Sequence, residues 1–305
     1  MTAIQDTAYP RLRSSLSIHE LARIYTPTSD ELALARRTTR GMVPRICFLV
    51  LLKTFQRLGS FVTLTDVPPP IVQHIADAAG GMVSRDDLVR YAAAGTRGRH
   101  LAAIRAHLHI QPYGAAARHV LVRAMADAAQ TKDAPADLIN VAIEELVRQR
   151  FELPGFPTLA RTARRVRAVT YRTFYQQVLA ALDDARRQAL DALLIVDPMS
   201  GRSPWEQIKQ DAGSPTLRHL RERLDYLAWL EARNVGAASL APLPDVKIKH
   251  FAAEATTLDA ARMRDLEPAK RATLTAALLA VQTARTRDDL AEMFIKRMLL
   301  SLIHI

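Results

Sequence analysis

Apolar residues three and four positions apart recur along the chain, a spacing typical of amphipathic helices. Clear examples are Leu21, Ile24 and Tyr25, and then Leu138, Val141, Ile143 and Leu146. No segment alternates apolar and polar residues between turn residues, as a half-buried strand would. Alanine is abundant, whereas glycine and aromatic residues are scarce, and this composition favours helices over sheets. The pattern therefore predicts an all-α fold built from several small helical domains in tandem.

Four segments carry signals for the start of a helix. Ser17–Glu20 and Thr28–Glu31 have the capping-box pattern, in which a hydroxyl and a carboxylate satisfy free backbone amides. Ser84–Asp87 and Thr286–Asp289 are weaker, Asp-bearing versions of the same pattern. We expect a helix to begin at each of these segments.

Proline-containing segments suggest how the chain is divided. Leu153–Pro157 and Gly236–Pro244 resemble domain boundaries, the second as a short semi-rigid linker. We therefore predict helical domains over residues 1–152 and 153–236, and the start of a further helical region over 245–305.

A helix in the second predicted domain has a leucine-rich packing face. The leucines are Leu217, Leu220, Leu224, Leu227 and Leu230. We expect Arg218, Arg221 and Arg223 to border this face beside Glu222 and Asp225. The chain then ends on an apolar, uncapped segment, Met298–Ile305, from which we expect a truncated reading frame.

The charge is strongly positive, at +11 over 305 residues, and only seven of the 42 basic residues are lysines. A planar guanidinium donates two parallel hydrogen bonds to a phosphate, which an ammonium group does not do. The arginine excess therefore points toward nucleic acid, although GC-rich codon usage produces the same bias without any function.

The segment from Thr158 to Arg172 is the strongest functional signal. Thr158 is a plausible helix N-cap, and Leu159, Ala163 and Val166 fall on one helix face. Five arginines project elsewhere with no acidic residue among them: Arg161, Arg164, Arg165, Arg167 and Arg172. Unpaired like charges destabilise a helix in water but bind a phosphate backbone favourably. We predict DNA contact here, and a solvated basic face is the alternative.

Two further segments are basic. In the first, Arg97, Arg99 and Arg105 lie outside an apolar stripe, and Gly95 and Gly98 allow close backbone approach to a phosphate. The second contains Arg36, Arg37 and Arg40. Basic segments on separate helices strengthen the prediction of DNA binding.

The sequence argues against several other functions. Cys47 is the lone cysteine and lies in an apolar run, so we expect a buried thiol and no disulfide or cysteine-cluster zinc site. His100, His107, His109 and His119 lack a carboxylate at ligand spacing. We find no phosphate loop, nucleophile elbow or catalytic dyad. Without a membrane-spanning run or secretory pattern, we expect a cytoplasmic protein.

The ordered set of segments resembles the N-terminal region of the Tn-three family of replicative transposases. The resemblance rests on Leu21–Tyr25, Ser29–Leu32, Phe48–Gly59, Val67–Pro68, His74–Ala76, Tyr91, Arg97–Arg105, Leu153–Phe156 and Ala163–Arg167. It continues through Lys249, Phe251, Glu254–Ala255, Asp259–Ala260, Lys270–Arg271 and Asp289–Met293. It covers essentially the whole chain up to Met298, and Leu299–Ile305 departs from the family pattern.

The resemblance implies a DNA-binding part of a transposase that recognises the terminal inverted repeats of its transposon, with double-stranded DNA as partner. It also implies that the family's RNase H-like domain, with its Asp-Asp-Glu site and Mg²⁺, is absent from these residues, which should be inactive alone and need no cofactor. We further expect nucleoid association in bacteria and a homodimer as one option for the full-length protein. The competing interpretation is a helical protein-interaction module with solvated basic faces.

Overall fold

A computed structural model of the chain describes residues 3–13, 15–209 and 216–303. These residues form sixteen α-helices, two short 3-10 helices and one isolated bridge between Gln111 and Phe151. The predicted all-α fold is confirmed. No helix in the described part of the chain combines the length and apolar character needed to cross a bilayer.

The chain divides into two compact units, residues 1–167 and 168–305. This division differs from the predicted domains 1–152, 153–236 and 245–305. Leu153 lies at the first predicted boundary but is buried, and its backbone N–H donates to the Gly59 carbonyl oxygen at 2.8 Å. Leu240 and Leu243, in the predicted linker, are buried in the core of the second unit. Residues of the predicted boundary and of the predicted linker therefore pack inside the two units.

The first unit contains eight complete α-helices and the beginning of a ninth. They are α1 (Ile18–Tyr25), α2 (Ser29–Thr38), α3 (Met42–Leu58), α4 (Pro69–Ala78), α5 (Arg85–Ala93), α6 (Arg97–Leu108), α7 (Ala115–Ala129), α8 (Pro135–Arg148) and α9 (Phe156–Ala181). The 3-10 helices are Ile4–Asp6 and Leu64–Asp66. Helix α9 continues past residue 167 into the second unit.

Two apolar cores stabilise the first unit. The apolar run Ile46–Leu52 of α3 is fully buried at the centre of one of them, and Cys47 lies within it. The predicted buried thiol is confirmed, and burial raises the pKa of Cys47 to about 12. The other core packs α7 and α8 against Leu159, Ala163 and Val166 of α9.

Three of the four predicted helix starts are confirmed as capping boxes. Ser17, Thr28 and Ser84 each accept a backbone N–H three residues later, and the acid at that position accepts the cap's own N–H. The fourth prediction is wrong, because α16 runs through Thr286 without a break. Helix α16 has a buried face of apolar and small residues, and Thr286 is itself buried. Packing of this face stabilises the helix on both sides of the predicted start.

The second unit is built around one long helix. Its helices are the end of α9, α10 (Asp184–Ala192), α11 (Pro204–Gln207), α12 (Leu217–Glu231), α13 (Ala237–Leu240), α14 (Asp245–Thr256), α15 (Ala260–Arg264) and α16 (Pro268–Ile303). Trp205, Phe251 and Leu274 are fully buried in its core.

The packing face predicted for α12 is confirmed at Leu230, which is buried, and wrong at Leu217 and Leu224, which are 68% and 55% exposed. Arg223 and Tyr226, which were not predicted to pack, are buried. On the buried side of α12, Arg223 forms an ion pair with Asp289 of α16.

Candidate nucleic-acid interface

The first half of α9 presents a basic surface on a helix that is held firmly from its other side. Leu159, Ala163 and Val166 recur at three- and four-residue spacing and pack into the core of the first unit. Arg161, Arg164 and Arg165 have the same helical spacing on the opposite side and are exposed. Helix α9 begins at Phe156, so Thr158 lies in its first turn and the predicted N-cap is misplaced by a few residues.

These three arginines have little to neutralise them. Helix α9 contains no Asp or Glu over its 26 residues. Arg164 Nε donates to the Ala160 carbonyl oxygen of the same helix at 3.2 Å. Within the described part of the chain, none of the ion pairs at 4.0 Å or less includes Arg161, Arg164 or Arg165. The surface therefore carries three adjacent positive charges, which we call the α9 arginine face (Arg161, Arg164 and Arg165).

The other two arginines of this segment lie in different surroundings. Arg167 is half-buried, and its Nη1 donates to the Asp133 carbonyl oxygen at 3.1 Å, which ties α9 to the loop before α8. Arg172 belongs to the second unit and is exposed.

The three arginines of α6 that were predicted to contact DNA differ in their exposure to solvent. Arg99 is exposed and Arg97 is half-buried. Arg105 is partly buried, and its Nε and Nη2 both lie 2.9 Å from Glu152 Oε2. Its guanidinium also stacks 4.9 Å from the centre of the Phe61 ring. Arg105 therefore has an intramolecular role that the sequence did not indicate.

His100, between these arginines, is a core residue. It is 6% exposed, and its Nδ1 lies 2.7 Å from the Tyr91 hydroxyl. Burial lowers the pKa of His100, with a smaller effect in the same direction from Arg99. No group of three or more His, Cys, Asp or Glu side chains in the described residues is arranged to hold a metal ion.

Arg36, Arg37 and Arg40 are all exposed at the end of α2. Arg36 and Arg37 lie in the last turn of that helix, where the helix dipole favours positive charge. A structural role in the helix terminus and a contact with phosphate are both compatible with this position.

Sequence reasoning missed a fourth arginine cluster. Arg11, Arg13, Arg23 and Arg57 line one hollow in the first unit, together with Glu20 and Tyr25. Arg11 and Arg13 were visible as neighbours, but Arg23 and Arg57 come from two separate helices. No spacing rule joins these positions, so only the tertiary fold reveals the cluster.

These features define a class: an all-α protein with arginine-rich helix surfaces that are largely free of acidic partners. Residues 1–166 match a protein family described as "Domain of unknown function (DUF4158)", and the chain belongs to that family.

Curated relatives extend the similarity over most of the chain. The chain is 26% identical over 287 residues to the transposase for transposon Tn501 of Pseudomonas aeruginosa, covering 90% of this chain and 28% of that protein. It is 24% identical over 277 residues to the transposase for transposon Tn21 of Escherichia coli, with the same two coverages of 90% and 28%. The resemblance to the N-terminal region of Tn-three family transposases is confirmed, and the chain spans about 28% of the length of these relatives.

Proposed function

We propose that this chain is the DNA-binding N-terminal part of a Tn-three family transposase and recognises the terminal inverted repeats of its transposon during DNA transposition and recombination. The observation that carries the proposal is the α9 arginine face, which is exposed and free of acidic partners. Similarity to two transposases supplies the biological context.

The physical argument concerns the cost of clustered charge. Like charges three and four residues apart destabilise a helix in water by a few tenths of a kcal/mol per pair. Packing of Leu159, Ala163 and Val166 offsets that cost and fixes the helix orientation. A phosphate backbone turns the same charges into favourable contacts, because each neutralised phosphate releases condensed counterions. A rigid, acid-free arginine face is therefore suited to a polyanion.

The predicted contact residues divide by their surroundings. Arg161, Arg164 and Arg165 form the central contact in our proposal, with Arg99, Arg172, Arg36, Arg37 and Arg40 as further exposed candidates. Arg97 is half-buried and contributes less surface. Arg105 and Arg167 are engaged within the protein, so their contribution to DNA binding is expected to be smaller.

Strand cutting and joining are not part of the role proposed for these residues. In this proposal they belong to the family's RNase H-like domain, as the resemblance to Tn-three family transposases implies. In the proposal this chain binds double-stranded transposon ends, and dimer formation is a property of the longer transposase.

An electrophoretic mobility-shift assay with the terminal repeat of the cognate transposon tests this function. A labelled duplex carrying the repeat is titrated with protein beside a scrambled duplex of equal length and composition. The proposal predicts tighter binding of the repeat, since base contacts add to the sequence-independent phosphate contacts. Equal affinity for both duplexes would remove specific recognition, and absence of binding to either at low salt would remove DNA binding altogether.

The competing function is a helical protein-interaction module. Its supporting observation lies in the second unit, where Phe294, Ile295 and Met298 of α16 are between 50% and 58% exposed. This function predicts failure to shift any duplex at low salt, and the same assay therefore separates the two.

A further inference from the structure

A hollow in the first unit gathers four arginines around one acidic residue. It encloses about 220 Å³ and is lined by Arg11, Arg13, Arg23 and Arg57, with Glu20 and Tyr25. A neighbouring hollow of about 350 Å³ shares Arg11, Arg13 and Arg57 with it. We call the first of these the arginine hollow. Its arginines come from the segment before α1, from α1 itself and from the end of α3.

Glu20 neutralises only one of these four charges, and most of its hydrogen bonds are made to Ser17. Its Oε2 accepts from the Ser17 backbone N–H and the Ser17 hydroxyl, both at 2.9 Å, to close the capping box of α1. Its Oε1 lies 3.5 Å from Arg13 Nη1, the far limit of a hydrogen bond. Hydrogen bonds from Ser17, with smaller effects of Arg13 and Arg23, lower the pKa of Glu20. Four guanidinium groups therefore face one carboxylate, which leaves a net charge of +3 among the ionised side chains of the hollow.

Tyr25 adds a neutral donor to the hollow. The residue as a whole is 2% exposed, and it lines the hollow beside the four arginines. Burial raises the pKa of Tyr25, against a smaller opposing effect of Arg57, so the hydroxyl keeps its proton. A neutral phenol can donate one hydrogen bond to an anion in the hollow.

We propose that the arginine hollow binds a phosphate group. Guanidinium groups offer paired donors that match phosphate oxygens, and the Tyr25 hydroxyl supplies one more donor. A dianionic or monoanionic phosphate would also relieve the repulsion among the four arginines. Two sources share this chemistry, namely a backbone phosphate of DNA and free phosphate. The site is separate from the α9 arginine face and stands without the proposed DNA function, because inorganic phosphate tests it directly.

The first experiment measures inorganic phosphate binding by calorimetry and by the midpoint of thermal unfolding, against chloride at equal ionic strength. The wild-type protein should bind one phosphate and gain thermal stability. Arg57→Gln and Arg11→Gln should each weaken binding about tenfold or more, since each removes a charge-assisted hydrogen bond. Tyr25→Phe keeps the ring and removes only the hydroxyl, and it should weaken binding as well.

The matched control is Arg118→Gln, which removes the same charge from an exposed arginine of α7 outside the hollow. It should bind phosphate as the wild type does. Far-ultraviolet circular dichroism shows whether each variant is folded, and Arg57 is exposed, so its loss should not disturb the core. Equal binding by the hollow variants and the control would overturn the site, because the effect would then come from net charge.

A second experiment distinguishes the two sources of phosphate. If the site takes a DNA phosphate, inorganic phosphate competes with the terminal-repeat duplex more strongly than equal ionic strength of chloride, and Arg57→Gln weakens duplex binding. If it takes free phosphate, Arg57→Gln loses phosphate binding and keeps wild-type affinity for the duplex. Phosphate binding without any duplex binding would reject the proposed DNA function and retain the site. A wild-type protein that binds no phosphate, together with unchanged duplex affinity in Arg57→Gln, would reject the site.

Discussion

Arg105 and Glu152 form a partly buried ion pair that joins α6 to the segment before α9. Two nitrogens of the Arg105 guanidinium, Nε and Nη2, lie 2.9 Å from Glu152 Oε2, and the side chains are 24% and 14% exposed. Phe61 covers the guanidinium from one face, with its ring centre 4.9 Å away. An arginine selected from the sequence for DNA contact is thus also a structural link within the first unit.

Arg105→Ala should therefore destabilise the protein more than it weakens DNA binding. Losing charge-assisted hydrogen bonds to a partly buried carboxylate costs about 2 kcal/mol in the free energy of unfolding. Chemical denaturation followed by circular dichroism measures this loss. Arg99→Ala is the matched control on the same helix, and it should leave stability within about 0.5 kcal/mol because Arg99 is exposed. If Arg105→Ala left stability unchanged and strongly weakened DNA binding, Arg105 would be a DNA contact and not a structural link.

Arg223 and Asp289 make the corresponding link in the second unit. Arg223 Nη2 donates to Asp289 Oδ2 at 2.6 Å, and the Arg223 side chain is 6% exposed. Asp289→Asn should lower the free energy of unfolding by about 3 kcal/mol, because it removes the charge from one partner of a buried guanidinium. The exposed pair of Arg218 and Glu222 provides the control, since Arg218→Gln should cost about 0.5 kcal/mol or less. If both substitutions lowered the free energy of unfolding by the same amount, the claim that the buried pair stabilises the second unit would be wrong.

Glu31 makes the stability of the first unit depend on pH. Burial alone would raise the pKa of Glu31, but hydrogen bonds from the Thr28 backbone N–H and Gln56, together with Lys53, lower it below its usual value. A carboxylate with a lowered pKa stabilises the fold above its unfolded pKa, and that contribution disappears as pH falls through the folded pKa. Glu31→Gln should therefore be less stable than wild type by about 3 kcal/mol at pH 7.

The stability gap between Glu31→Gln and wild type should narrow as pH falls below about 4.5, since a protonated glutamic acid resembles glutamine. Urea denaturation between pH 7 and pH 3 measures the gap. A gap that stays constant across this range would show that Glu31 acts through packing and not through its charge.

Local signals in the sequence predicted much of the secondary structure. The capping boxes at Ser17, Thr28 and Ser84 involve residues three positions apart, so their chemistry is complete within one helical turn. The same reasoning failed at Thr286, where burial along α16 outweighs the polar start signal. It failed in part for α12, where Leu217 and Leu224 are exposed and Arg223 is buried beside Asp289, 66 residues away in sequence.

The candidate sites divide in the same manner. The α9 arginine face was predictable, since Arg161, Arg164 and Arg165 lie on one helix and the apolar spacing fixes its inner side. The arginine hollow was not, because the fold brings three separate elements together there. Residue type and spacing therefore predicted a cluster of exposed arginines on a single helix. They could not predict a cluster whose arginines come from separate elements of the fold.

The salt dependence of DNA binding by a variant of the α9 arginine face tests the central claim most directly. The variant replaces Arg161, Arg164 and Arg165 by Gln, and the control Arg90→Gln removes an arginine already paired with Asp87. Each lost phosphate contact should reduce the slope of log K against log salt by about 0.9, or about 2.7 for three contacts. We predict that reduction together with weaker binding and wild-type stability. A variant that keeps the wild-type slope and affinity would contradict the claim that this face contacts DNA.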